Sequence, residues 1–282
     1  VGLANWLDPA QRHPDGSWPT EYLDSVYTSS RFTDAWESFR YLNGKGIEPF
    51  FNVSGRIHPG LGYPEDPFRL KDFDGYAEMC ATLLDWARNK ENLKFKLFAP
   101  FNETNLGYPE GPKIEGEAIL LATKAIIKRL DNHGLTDIRL IAIDDADVFR
   151  RRELDFVLSD TTYVDRIAVF GNHIYGGYDT EDLGLWDQRE SENTRVINRI
   201  KSGPFRNSAV WLTEYGDLDQ TGQIENEFAW RIAHRLMKWL NDGYTGAIVW
   251  DAFDNFHEHD TAWTIYGLLK TDTVNWKYTP KK

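Results

Sequence analysis

The sequence has one cysteine, a shortage of basic residues and no long apolar run. Cys80 is the only cysteine in 282 residues, so the chain cannot form an internal disulfide. No apolar run approaches the roughly 20 residues of a membrane span, and we expect no membrane partner. Lys and Arg total 32 against 44 Asp and Glu, a net charge of -12. This balance argues against a nucleic-acid partner and favours a neutral or cationic ligand.

Aromatic residues are abundant at 14% of the chain, with 11 Trp and 13 Tyr. Large rings fill the core between helices and a sheet, and flat amphipathic rings also suit the faces of sugar rings. Trp186, Trp263 and Tyr178 fall in predicted loops after strands, where we expect one or two of them to line a ligand groove. The other aromatic residues are open to either interpretation.

Strand-sized apolar runs alternate with amphipathic helical segments along the chain. The pattern predicts helices over 74–88, 117–130 and 224–241, with a short one over 194–200, and strands such as 47–53 between helices. Such alternation is typical of parallel βαβ units. The length suits one α/β domain, and we predict a single (β/α)8 TIM barrel over 1–282.

The predicted barrel is incomplete at both ends. Seven strands can be counted, beginning with Val1–Trp6, which is followed by a predicted loop as far as Tyr27. After Trp250 the sequence predicts an aromatic loop and a polar tail, with no final helix. We expect either a core cut from a longer gene product or open edges covered otherwise, for example by a second copy in a homo-oligomer. No signal peptide is evident.

Two predicted strands end in a carboxylate. The run 96–105 turns from apolar residues to Asn102 and Glu103, and the run 209–216 ends in Glu214 beside a glycine. The carboxyl ends of parallel strands are where α/β folds collect their chemistry. Paired carboxylates suit glycoside hydrolysis, whereas a lone strand-end Glu more often caps a helix or pairs with Arg.

Other polar side chains follow strands as well. Arg56 and His58 come after the strand over 47–53, where a substrate contact and an ordinary surface position are equally open. Asp144, Asp145 and Asp147 follow another strand and could bind sugar hydroxyls, hold a cation or cap the next helix. We favour the cap, because the arginines at 150–152 could neutralise the cluster.

The segment 257–260, His-Glu-His-Asp, invites a metal interpretation. It lacks the His-Glu-x-x-His spacing that places two ligands on one face of a helix. A loop is therefore the better interpretation. We expect neither a metal nor another cofactor.

Four motifs resemble one family when they are taken in chain order. They are Asn102-Glu103, His173-x-Tyr175, Thr213-Glu214-Tyr-Gly and the strand-ending Trp250. From about Ile47 to Trp250 they are similar to clan A of the retaining glycoside hydrolases, which includes families 5, 30 and 39. The resemblance implies a (β/α)8 barrel that cleaves glycosides with net retention.

The resemblance also implies roles for individual residues. Glu103 would be the acid/base and Glu214 the nucleophile, with Tyr175 donating a hydrogen bond to Glu214. Asn102 would hold the sugar 2-hydroxyl, His173 would orient the acid/base or the substrate, and Trp250 would lie under the sugar ring. Members of the clan often place basic contacts where Arg56 and His58 stand here. The arginine that some members have after the first strand is missing.

We therefore expect a retaining β-glycosidase acting on an oligo- or polysaccharide, with an internally cutting β-glucanase the leading candidate. Polysaccharide-cleaving members of the clan are commonly exported, so we expect secretion. Two alternatives come from other classes: a barrel that binds carbohydrate without cleaving it, and a metal-dependent barrel hydrolase using histidines and aspartates. A transglycosylase would share the same intermediate.

Overall fold

The computed structural model describes residues 5–107, 109–146, 151–176, 183–217, 225–257, 262–263 and 267–281. The chain divides into two compact units. The N-terminal unit comprises Val1–Asp145 and Arg150–Phe170, and the C-terminal unit comprises Ala146–Phe149 and Gly171–Lys282. The single domain expected over 1–282 stays a prediction. Among the described residues, no helix is both long and apolar enough to cross a membrane.

Seven helices and twelve strands are present in the described ranges. The helices are α1 (Thr20–Tyr27), α2 (Ser30–Gly44), α3 (Phe73–Asn89), α4 (Ala118–Asn132), α5 (Arg151–Ser159), α6 (Leu183–Ser202) and α7 (Glu225–Asp242). The first six strands are β1 (Phe51–Asn52), β2 (Gly62–Tyr63), β3 (Asp66–Leu70), β4 (Leu97–Ala99), β5 (Arg139–Asp145) and β6 (Ile167–Gly176). The other six are β7 (Ala209–Asp217), β8 (Gly246–Val249), β9 (Phe256–His257), β10 (Ala262–Trp263), β11 (Leu269–Asp272) and β12 (Lys277–Pro280).

The main sheet has six strands among the described residues, in the order β1-β4-β5-β6-β7-β8. The β1–β4, β4–β5 and β7–β8 pairs are parallel. A helix stands in the chain between each strand of this sheet and the next, from α3 before β4 to α7 before β8. Parallel strands alternating with helices are the units of a (β/α)8 barrel. The predicted fold class, an incomplete (β/α)8 barrel, is confirmed.

Helix α3 shows how the sequence pattern positions these elements. Asp72 caps it, because its Oδ1 accepts a hydrogen bond of 2.8 Å from the backbone N of Gly75. The predicted stripe, from Tyr76 to Ala87, is buried. The helix precedes β4 in the chain, and its Tyr76 hydroxyl donates to the Pro100 carbonyl at 2.6 Å, which ties the helix to the segment that leads to Glu103.

Much of the aromatic content of the N-terminal unit belongs to the core. The indole of Trp6 donates to the Tyr27 hydroxyl at 3.1 Å, and the indole of Trp36 donates to the Tyr27 carbonyl at 2.9 Å. Burial raises the pKa of the Tyr27 phenol. The rings of Phe32 and Trp36 stack at 5.5 Å between centroids. For these residues the core interpretation of the aromatic content is correct.

The structure corrects several predictions of local structure. The predicted loop before Tyr27 contains helix α1, because proline and glycine stop at Pro19 and the next eight residues contain neither. The short helix predicted over 194–200 is part of the 20-residue α6. Of the strand predicted over Val1–Trp6, Asn5 and Trp6 are not in a strand, and residues 1–4 lie outside the described ranges.

The polar tail predicted after Trp250 is also wrong for the described residues. Strand β12 pairs antiparallel with β11, from Asp272 opposite Lys277 to Leu269 opposite Pro280. A second small hairpin pairs β9 with β10. Pairing in hairpins satisfies backbone groups that a polar loop would leave to water.

A buried ion pair in the N-terminal unit gives the fold a pH dependence. The imidazole Nε2 of His133 lies 3.1 Å from Oε1 of Glu78, and Nη1 of Arg129 lies 3.4 Å from the other carboxylate oxygen. The hydrogen bond to Glu78 raises the pKa of His133 above its ordinary value of 6.5, against partial desolvation and the Arg129 charge. Asp74 and Asp85 also face this group.

We predict that the His133→Gln variant loses stability mainly at acidic pH. A raised folded-state pKa stabilises the fold fully below the unfolded pKa, and this stabilisation disappears as the pH rises through the folded value. The free energy of unfolding of the wild type should therefore be higher than that of the variant at about pH 5.5, by less than about 1 kcal/mol. At about pH 9 the two values should be nearly equal. Denaturant unfolding at the two pH values measures the difference. A gap that widens at the alkaline value would contradict the pairing.

Candidate active site

Glu103 lies on a short turn that follows β4. The backbone of Glu103 has a φ of 44°, in the left-handed region that side chains other than glycine rarely adopt. Its N donates to the Asp144 carbonyl at 2.8 Å, and its own carbonyl accepts from the N of Leu106 at 2.9 Å. These bonds hold a conformation that costs about 1 kcal/mol. Strained backbone of this kind is common at functional sites. Here it places the buried Glu103 side chain at the strand end.

Asn102 precedes Glu103 and is buried, and its side-chain amide is only partly hydrogen-bonded among the described residues. Its Nδ2 donates to the Glu110 carbonyl at 3.1 Å. Its Oδ1 is buried and has no hydrogen-bond partner among the described residues. Gly111 makes this packing possible, because a Cβ there would lie 2.0 Å from the Asn102 carbonyl oxygen. An unpaired buried acceptor costs free energy and suits a hydroxyl that arrives with a ligand.

The sequence favoured a helix cap for Asp144, Asp145 and Asp147, of which the first two are the last residues of β5. Both are buried, and residues 147–150, between them and the described start of α5 at Arg151, lie outside the described ranges, so the cap stays a prediction. The Asp144 Oδ2 accepts from Nδ2 of Asn52 at 3.0 Å, and the Asp145 Oδ1 accepts from the Thr104 hydroxyl at 2.8 Å. Both carboxylates therefore orient polar side chains at neighbouring strand ends. Asp147 lies outside the described residues.

Glu214 in the C-terminal unit has two partners on β6. The Tyr175 hydroxyl donates to its Oε2 at 2.5 Å, and Nδ1 of His173 lies 3.4 Å from the same oxygen. The His173 side chain is fully buried, while that of Glu214 remains 25% exposed. The carboxylate is thus oriented by two buried or half-buried groups and still reaches the surface. The hydrogen bond that the family resemblance implied between Tyr175 and Glu214 is present.

Trp250 completes this cluster. Its ring packs edge-on against the ring of Tyr175, with centroids 5.7 Å apart and an interplanar angle of 86°. Its N donates to the Tyr215 carbonyl at 3.0 Å, and the peptide bond to Asp251 is cis. A Cβ on Gly216 would lie 2.6 Å from the Trp250 carbonyl oxygen. The glycine after Glu214-Tyr215 therefore permits the close backbone approach that positions Trp250.

Sequence reasoning missed residues that support these groups. The carbonyl of buried Asn172 accepts from the Thr213 hydroxyl at 3.4 Å, and its Nδ2 donates to the Tyr244 hydroxyl at 3.2 Å. Asn172 precedes His173, and Thr213 precedes Glu214, so these bonds link the backbones that carry both residues. Polar residues inside otherwise apolar strands were the available signal. Thr104 and Asn52 carried the same signal in the N-terminal unit.

Two further predicted site residues, Arg56 and His58, lie in ordinary surroundings. Arg56 is exposed, and its guanidinium lies 5.1 Å from the centre of the Phe68 ring. The Nδ1 of His58 accepts from the N of Gly60 at 3.1 Å and so caps a short 3₁₀ turn. The side chain of Trp186 lies outside the described residues, as do those of His257 and His259. Roles for Arg56, His58 and Trp186 in substrate binding stay predictions.

Known proteins resemble this chain in their fold but not in their sequence. No protein-family model matches the sequence, and no curated protein matches it. Among solved structures, SrfJ from Salmonella typhimurium is similar with a TM-score of 0.69 and 10% identity, over 99% of this chain and 62% of that one. The chain thus spans less than two thirds of the length of SrfJ.

Two further structures are glycoside hydrolases by name. The family 30 subfamily 8 xylanase Xyn30A from Clostridium acetobutylicum has a TM-score of 0.61 and 12% identity, over 98% of this chain and 68% of that one. A family 39 glycoside hydrolase from Bacteroides cellulosilyticus WH2 has a TM-score of 0.63 and 17% identity, over 88% of this chain and 51% of that one. At the level of the fold, the resemblance to clan A barrels predicted from the motifs is confirmed.

Proposed function

We propose that this chain is a retaining β-glycosidase that cleaves a neutral β-linked polysaccharide by double displacement. The observation that carries the proposal is the Glu214 carboxylate, which one tyrosine hydroxyl and one buried imidazole hold at the end of β7. A nucleophilic carboxylate must be ionised and fixed in orientation, and donated hydrogen bonds favour both. The glycoside hydrolase fold of the structural neighbours supports the same class.

In the first step Glu103 acts as the acid. Its carboxyl proton passes to the glycosidic oxygen as the bond from that oxygen to the anomeric carbon breaks. An oxygen of Glu214 forms a bond to the anomeric carbon from the other face of the sugar. The product is a glycosyl ester on Glu214 and a free leaving group that has gained the proton.

In the second step Glu103 acts as the base. Glycosylation removes the charge of Glu214, and the Glu103 carboxylate then takes a proton from water. The water oxygen bonds to the anomeric carbon as the ester bond to Glu214 breaks. Two displacements restore the original configuration and regenerate both carboxyl groups.

Asn102 and Trp250 are the proposed sugar contacts. The buried Oδ1 of Asn102, which has no partner among the described residues, would accept a hydrogen bond from a ring hydroxyl next to the anomeric carbon. The Trp250 ring, fixed against Tyr175, would offer a face to the sugar. The net charge of -12 favours neutral glycans over acidic ones.

The proposal is tested by reducing-sugar release from a panel of β-glucans, xylan and mannan, with proton NMR of the first product formed. We expect hydrolysis of at least one glycan with retention at the anomeric carbon, unaffected by a strong chelator. Inversion would remove the double-displacement mechanism. Loss of activity with the chelator would favour the metal-dependent hydrolase, and a folded but inactive chain would favour the carbohydrate-binding barrel.

We predict that Tyr175→Phe lowers kcat/KM by about 10- to 100-fold, because it removes a hydrogen bond to a charged group. The main effect should fall on kcat, since the bond orients the nucleophile rather than the sugar. Tyr163→Phe is the matched control, because that hydroxyl donates a hydrogen bond of 3.1 Å to the Val157 carbonyl instead of to a carboxylate. Equal effects of the two variants on kcat would contradict the assignment.

A further inference from the structure

The C-terminal unit exposes three neighbouring aromatic rings on its two hairpins. Phe256, Trp263 and Trp276 are 50%, 43% and 64% exposed. Phe256 and Trp263 face each other across β9 and β10, with ring centroids 6.3 Å apart. The Trp263 and Trp276 rings are also 6.3 Å apart. These three residues form a continuous aromatic strip that shares no residue with the Glu214 cluster.

Trp276 is held in a conformation that its side chain does not favour. Its φ is 52°, in the left-handed region where glycine and asparagine are usual. The turn is fixed by Asp272, whose Oδ1 accepts from the N of Val274 at 2.9 Å and whose carbonyl accepts from the N of Trp276 at 2.8 Å. The hydrogen bonds from Asn275 lower the pKa of Asp272, which keeps this carboxylate ionised.

The backbone conformation of Trp276 therefore costs free energy, and burial of its indole ring does not offset that cost. A large exposed ring on strained backbone adds nothing to the core, and such outliers point to a binding role. The exposed residues next to it in the chain are Thr273, Val274, Asn275, Lys277 and Tyr278, so polar and apolar side chains alternate there. The polar groups of Thr273, Asn275 and Lys277 beside the rings suit a ligand that presents both apolar faces and hydroxyls.

We propose that the aromatic strip binds a chain of neutral polysaccharide as a second glycan-binding surface. Sugar rings present C–H groups on their faces, and these pack against the electron-rich faces of Trp and Phe. The acidic charge of the protein disfavours nucleic acid and anionic membranes at this surface. The ligand class rests on the proposed function, and the strip itself rests on the geometry of the two hairpins.

Affinity gel electrophoresis in mixed-linkage β-glucan, xylan or galactomannan tests the strip. All proteins carry Glu214→Gln, so that the polysaccharide is not consumed. Trp276→Asn and Trp263→Ala are compared with Trp230→Ala, which removes a 65% exposed tryptophan from α7. Asparagine tolerates positive φ, so we expect the Tm of Trp276→Asn to be unchanged or raised.

Each strip variant should weaken the affinity for at least one polysaccharide by about three- to tenfold, and the Trp230 variant should not. Equal retardation of Trp276→Asn and its parent would overturn the proposal, and so would a parent that no polysaccharide retards. Sedimentation that shows a dimer lost only in the strip variants would assign the strip to a second copy instead. If the wild type hydrolyses a polysaccharide but the parent is not retarded, only the binding role of the strip is contradicted. If the parent is retarded but the wild type does not hydrolyse, only the proposed reaction is contradicted.

Discussion

Replacing Glu214 with alanine is expected to lower kcat by about 10⁴- to 10⁶-fold, as the loss of a catalytic nucleophile does in other hydrolases. Azide should restore part of the turnover on a substrate with a good leaving group. The small anion fits the space left by the carboxylate and attacks the anomeric carbon directly. Because only one displacement then occurs, the glycosyl azide should have the opposite anomeric configuration to the substrate.

The control for this prediction is Glu65→Ala, which removes an exposed glutamate from the turn of the β2–β3 hairpin. We expect it to keep full activity. Circular dichroism should show that the Glu214 variant is folded. If the folded Glu214→Ala variant keeps more than about a tenth of wild-type activity, a loss of less than about 1.4 kcal/mol, Glu214 is not the nucleophile.

Replacing Glu103 with glutamine is expected to lower kcat on a natural glycan by about 10²- to 10⁴-fold, the usual contribution of general acid catalysis. The loss should be much smaller in the first step on an aryl glycoside whose leaving group needs no proton. The second step still lacks its base, so the glycosyl-enzyme should accumulate and give a burst of released phenol. Glutamine keeps the shape of the side chain, which protects the left-handed turn at this position.

A uniform loss across leaving groups would contradict the assignment of Glu103 as the acid. Glu103→Gly provides a second check, because glycine adopts the φ of 44° without strain. This variant should be folded at least as well as the wild type and equally impaired on the natural glycan. If Glu103→Gln loses activity on the natural glycan and Glu103→Gly does not, the loss would be a steric effect of the glutamine side chain.

The sequence predicted the strand ends because apolar runs that stop at polar residues are visible without a structure. Glu103 and Glu214 both follow such runs, and the alternation with helices predicted the strand order of a barrel. The hydrogen bond between Tyr175 and Glu214 came from the family resemblance, because no local pattern relates residues on two strands.

Other features depend on contacts between distant parts of the chain. Asn52 and Thr104 donate hydrogen bonds to Asp144 and Asp145 from other strand ends, and no local pattern in the sequence relates these residues. Helix α1 was hidden because the preceding loop is rich in proline and glycine. The left-handed φ of Glu103 and Trp276 is set by hydrogen bonds to the backbone of Asp144 and Asp272. Residue type alone would have predicted glycine or asparagine at both positions.

The proposed mechanism requires a covalent glycosyl intermediate on Glu214. The most direct measurement is intact mass spectrometry after incubation with an activated 2-deoxy-2-fluoroglycoside of the sugar that the panel identifies, followed by peptide mapping. The fluorine slows both steps, and the good leaving group lets the ester accumulate. We expect a mass increase of one fluoroglycosyl group on the peptide that contains Glu214. An active enzyme that is labelled on another residue, or that is never labelled and releases inverted product, would contradict it.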